Sequence, residues 1–224
     1  MAHPEFIHGD RALPALVHGG ELPWLPSPEP GVERRMLERI GGEVALATSI
    51  VRYAPHSRFA GHRHERGEEF LVLEGVFSDE HGHYPAGTYV RNPPGSAHHP
   101  FSEPGCTIFV KLRQMTARET QRAVVFPQDL AWRDTGPGLQ EALLHRQGGA
   151  TVHLQRLGAG CELPARDTAA GEEILVVEGR ATFDNAGTPL GRWGWSRNAC
   201  GRQPPVASAT GALLWIKRGH LAGP

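Results

Sequence analysis

The feature that most constrains this chain is an internal duplication. Gly67-Glu68-Glu69-Phe70-Leu71-Val72-Leu73-Glu74-Gly75 returns as Gly171-Glu172-Glu173-Ile174-Leu175-Val176-Val177-Glu178-Gly179, with seven of nine positions identical. Further on, Arg91-Asn92 matches Arg197-Asn198, Gly95 matches Gly201, and the run 105–111 matches 211–217. Upstream, Trp24 with Pro30-Gly31 echoes Trp132 with Pro137-Gly138. A period of about 105 residues is far longer than a solenoid repeat and is long enough for a whole domain. The chain therefore reads as two copies of one unit, residues 1–118 and 119–224, joined within the polar stretch Met115 to Ala123.

Each copy is rich in strand signals. The runs Phe70 to Leu73, Thr107 to Leu112, Ile174 to Val177 and Leu213 to Ile216 are short, apolar and partly β-branched, and Gly, Pro, Asn or Asp bound them. Only Glu33 to Ile40 and Gly138 to Arg146 could take a helical turn, and both fit strands equally well. Many short strands with regular turns predict an all-β sandwich or barrel in each copy.

Histidine is the unusual residue. Of 13 in the chain, seven fall between His56 and His99, and imidazole is the commonest metal ligand. On a strand, His62 and His64 share one face. Glu68 opens the next strand after a short polar bend, and His98 follows the tight turn Asn92-Pro93-Pro94-Gly95. Three imidazoles and a carboxylate suit one divalent first-row metal, leaving two open positions on a six-coordinate ion or closing a tetrahedral zinc site. By contrast, His81 and His83 read as a solvated hairpin, His56 as a rim residue, and His99 as facing away from its neighbour.

Gly61-His62-Arg63-His64, with Glu68 and Gly75 downstream, resembles the first cupin motif. Gly87 with Pro93-Pro94-Gly95-Ser96-Ala97-His98 resembles the second. The wording of Gly67 to Phe77 and of Tyr84 to Gly95 is similar to the ChrR cupin-like domain. That resemblance implies two tandem cupin (jelly-roll) barrels and a metal held by His62, His64, Glu68 and His98, with zinc favoured over iron, manganese or nickel. ChrR itself is a zinc-containing anti-sigma factor. The resemblance does not carry sigma-factor binding here, because the first 45 residues hold no cysteine and no long amphipathic pattern. The implied function is a metal-dependent sensor or small-molecule-binding protein. The alternative is a metal-dependent dioxygenase that cleaves a diketone or an aromatic ketone.

In the second copy Arg166 matches His62, Thr168 matches His64, Glu172 remains, and Pro204 aligns with His98. A single carboxylate holds a transition metal poorly, so this copy is expected to carry no metal; an organic pocket lined by Arg166, Glu172 and Arg202 is the competing reading. Tyr53, Phe59, Tyr89, Phe101 and Phe109 are the residues expected near a pocket in the first copy.

Charge and cysteine content narrow the partners. Lys plus Arg total 23 against 24 for Asp plus Glu, so the basic footprint of a nucleic-acid binder is missing. No window reaches the roughly 18 apolar residues of a membrane span, and residues 1–10 lack a signal-peptide pattern. Three scattered cysteines, Cys106, Cys161 and Cys200, predict reduced thiols and a cytoplasmic location. A small-molecule ligand and a homodimer are expected.

Overall fold

A computed structural model describes residues 5–42, 44–183, 187 and 189–221. The described residues form short antiparallel strands and a single 3-10 turn, Pro127–Asp129. None of their helices is long and apolar enough to cross a membrane. The two segments that could have been helical, Val32–Ile40 and Leu139–Gln147, are nine-residue strands.

The chain divides into two compact units. The first comprises Pro23–Asp129 with the strand Phe6–Ile7; the second comprises Asp10–Leu22 and the described residues from Leu130 onward. Two short strands set these limits. Ala123–Val125 pairs with Tyr89–Asn92, so the first unit runs past the polar stretch that follows its last long strand. Ala15–Val17 pairs with Trp195–Asn198 and so belongs to the second unit despite its place near the start of the chain.

In the first unit the main sheet runs Phe6–Ile7, Val32–Ile40, Leu46–Tyr53, Cys106–Leu112, Glu68–Asp79, Tyr89–Asn92 and Ala123–Val125, all antiparallel neighbours. The twelve-residue strand Glu68–Asp79 also pairs through its far half with Gly82–Pro85 and Phe101–Ser102, which curls the sheet into a barrel. Its bend is at Gly75. There φ is +70°, and a Cβ would collide with the carbonyl of Gly105 across the pair. Gly179 repeats this arrangement against Gly211 with φ +76°, so the glycine that closes the duplicated motif is required by a close backbone approach in both copies.

Strand alternation builds the cores. Phe70, Val72, Phe77, Tyr84, Val90, Ile108 and Val110 are buried together in the first unit, and Cys106 joins them as a small apolar residue. Ile174, Val176, Phe183, Leu190, Leu214 and Ile216 do the same in the second. Each large side chain withdrawn from water stabilises its barrel by roughly 1.5–3 kcal/mol. The second unit's sheet repeats the strand order of the first, from Arg133–Gly136 through Leu139–Gln147, Ala150–Leu157, Ala212–Arg218, Glu172–Gly179 and Trp195–Asn198 to Ala15–Val17.

Candidate metal centre

In each unit a two-strand ribbon apart from the main sheet positions the site. In the first unit His62–Arg63 pairs with Ala97–His98, and His62 lies opposite His98. His64 follows directly, and its backbone is pinned by hydrogen bonds from His64 N to Ser96 O and from Gly95 N to His64 O. The Pro-Pro-Gly turn thus locks the two histidine segments together.

The four residues singled out from sequence converge. One ligand atom each from His62, His64, Glu68 and His98 lies within 4.8 Å of all the others. His64 Nε2 and His98 Nε2 are 3.1 Å apart, and Glu68 Oε2 lies 3.4 Å from the first and 3.6 Å from the second. Two donors bound at about 2.0–2.2 Å to one ion stand about 3–3.5 Å apart, so this donor set fits a transition metal. His64, Glu68 and His98 are buried, while His62 is exposed at the open side.

Four further side chains, those of Asp79, Tyr84, Asn92 and Arg122, set the chemistry of the donors, and none was singled out by sequence as a site residue. Asp79 Oδ2 accepts from His98 Nδ1 at 3.1 Å, which leaves Nε2 to face the cluster. Asp79 Oδ1 accepts from the Tyr84 hydroxyl at 3.0 Å and from His81 N at 2.8 Å. Asn92 Nδ2 donates to Glu68 Oε2 at 3.1 Å. Arg122 then joins the two branches, donating from Nη2 to the Tyr84 hydroxyl at 2.6 Å and from Nε to Asn92 Oδ1 at 3.2 Å. The sequence signal for Asn92 was its recurrence as Asn198; Asp79 and Arg122 carry no local signal.

The electrostatics follow from this wiring. Burial pushes the Asp79 carboxyl up, but the His98, His81 and Tyr84 hydrogen bonds outweigh it and hold the group below its ordinary range. Burial pushes His98 down, and its bond to Asp79 with the charge of Glu68 reverses that to a net rise. His64 has no such acceptor; burial, with His98 and His62 nearby, holds it below the ordinary value against the pull of Glu68. A cation bound among these donors would take the place of the proton on His98.

Above the donors lies a cavity of about 590 Å³ that reaches His62, His64 and Glu68. Tyr53 and Phe59 line it and meet edge to face at 5.1 Å, with Val51, Val110 and Leu112 alongside. Tyr89, Phe101 and Phe109 do not line it. Tyr89 donates instead to Glu69, and Phe101 packs against His83. Three other histidines of the same stretch lie apart from the cluster: His56 bonds Glu103, His83 bonds Ser78, and His99 bonds Glu80 on the exposed side.

The second unit keeps the ribbon and changes its chemistry. Arg166 pairs opposite Gln203, just as His62 pairs opposite His98. Gln203, not Pro204, therefore stands where His98 stands, because the second turn is one residue shorter than Asn92 to Ala97. Gln203 Nε2 donates to Thr168 Oγ1 at 2.7 Å, in place of the His64–His98 contact. Arg166 grips both oxygens of Glu172, and Arg218 Nε donates to Glu172 at 2.8 Å. Arg218 also lies 3.8 Å from Glu141, which accepts from Arg133 at 2.7 Å. Five side chains thus form a ladder of alternating charge through the position where the first unit gathers metal donors. Arg202 lies outside it, exposed beside Asp167.

Two jelly-roll barrels in tandem, one with three imidazoles and a carboxylate at its ribbon, define a bicupin. The chain belongs to the ChrR cupin-like family: the model of the ChrR Cupin-like domain matches residues 13–116 and again residues 120–222. Among solved structures it is similar to YlbA from E. coli, with TM-score 0.72 and 13% identity over 96% of this chain and 95% of that one. It is similar to a candidate dioxygenase from Nostoc punctiforme PCC 73102, with TM-score 0.67 and 12% identity over 95% of this chain and 81% of that one. Similarity to the oxalate decarboxylase of Lactobacillus farciminis in its formate complex has TM-score 0.67 and 9% identity, over 93% and 86% of the two chains. At these identities the likeness concerns the fold. Curated protein sequences give no significant match.

Proposed function

We propose that this protein binds one divalent transition metal in its first unit, on His62, His64, Glu68 and His98, and takes a small molecule in the cavity above it. The observation that carries this reading is the convergence of four donors, three of which (His62, His64 and Glu68) line a cavity, with His62 on the open side. A purely structural metal would need no chamber. Zinc is the first metal to test, since four protein donors complete a tetrahedral site. In this reading the protein is a metal-dependent sensor or binding protein. Its Nδ1-anchored His98 and Asn92-anchored Glu68 hold the donor geometry while the ligand exchanges.

A second reading is a metal-dependent dioxygenase. Its support is the cavity's contact with the donors, together with a fold shared with the candidate dioxygenase. Iron, manganese or nickel bound by these four groups would leave coordination positions for a ketone substrate and dioxygen.

Elemental analysis of protein purified without added metal or chelator tests both. One dialysis-resistant zinc per chain, lost in His62→Ala/His98→Ala, supports the binding protein. Exchangeable iron or manganese with oxygen uptake on acetylacetone or a hydroxyacetophenone supports the enzyme. Metal content equal in the wild type and the double variant overturns the site.

A further inference from the structure

The cavity above the donors holds a cation with no ion-pair partner among the described residues. Arg34 lies on the strand Val32–Ile40, opposite Val51, so it shares the inward face with Val51 and Tyr53 and lines the same chamber as His62 and Glu68. It is half-buried, and its Nε is buried with no hydrogen-bond partner. No carboxylate among the described residues forms an ion pair with it. The acidic residues that line the chamber are engaged elsewhere or face solvent: Glu68 belongs to the donor cluster and accepts from Asn92, Glu65 pairs with Arg113 at 2.8 Å, and Glu29 is solvent-exposed. The charge that acts on Arg34 is that of a second cation, Arg39, which follows the bulge onto the same face opposite Ala47.

Burying a guanidinium without an anion costs stability, and a ligand carboxylate would supply the missing charge. The second unit shows the compensated alternative. Glu141 occupies the register position of Arg34, opposite Gln155, and is neutralised within the chain by Arg133 and Arg218. One fold thus carries the same inward position twice, once closed by its own ladder and once left open beside the metal donors.

We propose that the ligand of the first unit is an organic acid, its carboxylate paired with Arg34 and its apolar body against Tyr53, Phe59 and Val51. This rests on the proposed small-molecule cavity, though the carboxylate contact does not need the metal. A guanidinium fork matches a carboxylate in geometry as well as charge, and Val32, Val51, Tyr53 and Phe59 offer apolar surface to the rest of the ligand.

The test is calorimetric titration of phenylacetate, benzoate and hexanoate, each against its neutral amide. It uses the zinc-loaded wild type, the His62→Ala/His98→Ala variant, Arg34→Gln and Arg34→Lys. At least one acid is expected to bind the wild type about tenfold or more tighter than its amide. Arg34→Gln should erase that preference and Arg34→Lys should keep part of it. Thermal unfolding adds a second readout: loss of an unpaired cation should leave the midpoint of Arg34→Gln equal to or above that of the wild type. Acid and amide binding alike, no binding by any of the three acids, or a clear fall in the Arg34→Gln midpoint would overturn the proposal. Acid selectivity that survives in the metal-ligand variant upholds the Arg34 site even if zinc titration shows no metal binding. Zinc binding without acid selectivity leaves the metal site standing and rejects the ligand class.

Discussion

Arg166 holds Glu172 in a two-point guanidinium–carboxylate pair at the ribbon position where His62 faces Glu68 in the first unit. The second barrel keeps the carboxylate of the duplicated motif and places a side-chain cation where the first gathers its candidate metal donors. Glu172 is fully buried, so removal of Arg166 strips a buried carboxylate of its better partner and leaves Arg218. We expect Arg166→Ala to destabilise the protein by about 1.5–3 kcal/mol, measured by urea unfolding, with no change in metal content. Unchanged stability would mean that Glu172 is satisfied without Arg166.

Metal should stabilise the first unit. A ligand at about 100 times its Kd adds roughly 2.7 kcal/mol to the folded state, which for a chain of this size raises the unfolding midpoint by about 5–10 °C. Zinc added to EDTA-stripped wild type is expected to give a rise of that order by calorimetry. Glu68→Gln or His98→Ala should show little or none. An equal rise in the variants would locate the metal elsewhere.

The convergence of His62, His64, Glu68 and His98 was legible in sequence because each sits in a recognisable local motif. His62 and His64 are two apart at a strand, Glu68 opens the next strand, and a Pro-Pro-Gly turn fixes His98. The supports were not legible, because barrel closure brings them together: Asp79 meets His98 across 19 residues, and Arg122 meets Tyr84 across 38. Arg34 reads in sequence as one charge in a polar run, and only the register opposite Val51 turns it inward. The strand Ala15–Val17 is invisible to short-range patterns for the same reason, since its partner Trp195–Asn198 lies near the other end of the chain. The position of Gln203 was misread as Pro204 because a one-residue shortening of the turn is compensated later in the duplication.

Arg122 ties the supports of two donors together, through Tyr84 to Asp79 and His98, and through Asn92 to Glu68. Loss of an outer partner of this kind typically lowers metal affinity by about 10–100-fold. Asp79→Asn, which removes the anionic acceptor of His98, should fall in that range. Arg122→Ala should fall near its lower end, and Arg122→Lys should recover part of the loss. Competition with a fluorescent zinc chelator measures all three, with circular dichroism as the control for folding. Wild-type affinity in Arg122→Ala would show that the barrel alone orients the donors.

The ladder in the second unit predicts a one-directional pH response. Burial pushes Glu141 up, but Arg133, His153 and Arg218 outweigh it and hold the carboxyl below its ordinary 4.5. Burial, with Arg218 and Arg133, holds His153 below its ordinary 6.5 despite Glu141 at 3.4 Å. A histidine kept neutral in the fold binds its proton only in the unfolded chain just below pH 6.5, so stability falls as pH drops through that range. A carboxylate kept charged in the fold gives stability that is full above 4.5 and is lost as pH falls through its lower folded value. Both groups therefore favour the fold at higher pH, and each contributes at most about 1.4 kcal/mol per pH unit. Urea unfolding of metal-free protein from pH 7.5 to 5 should show a slope that is shallower in His153→Phe by up to this amount. The same slope in the variant and the wild type would mean that His153 takes up its proton equally in the folded and unfolded chains.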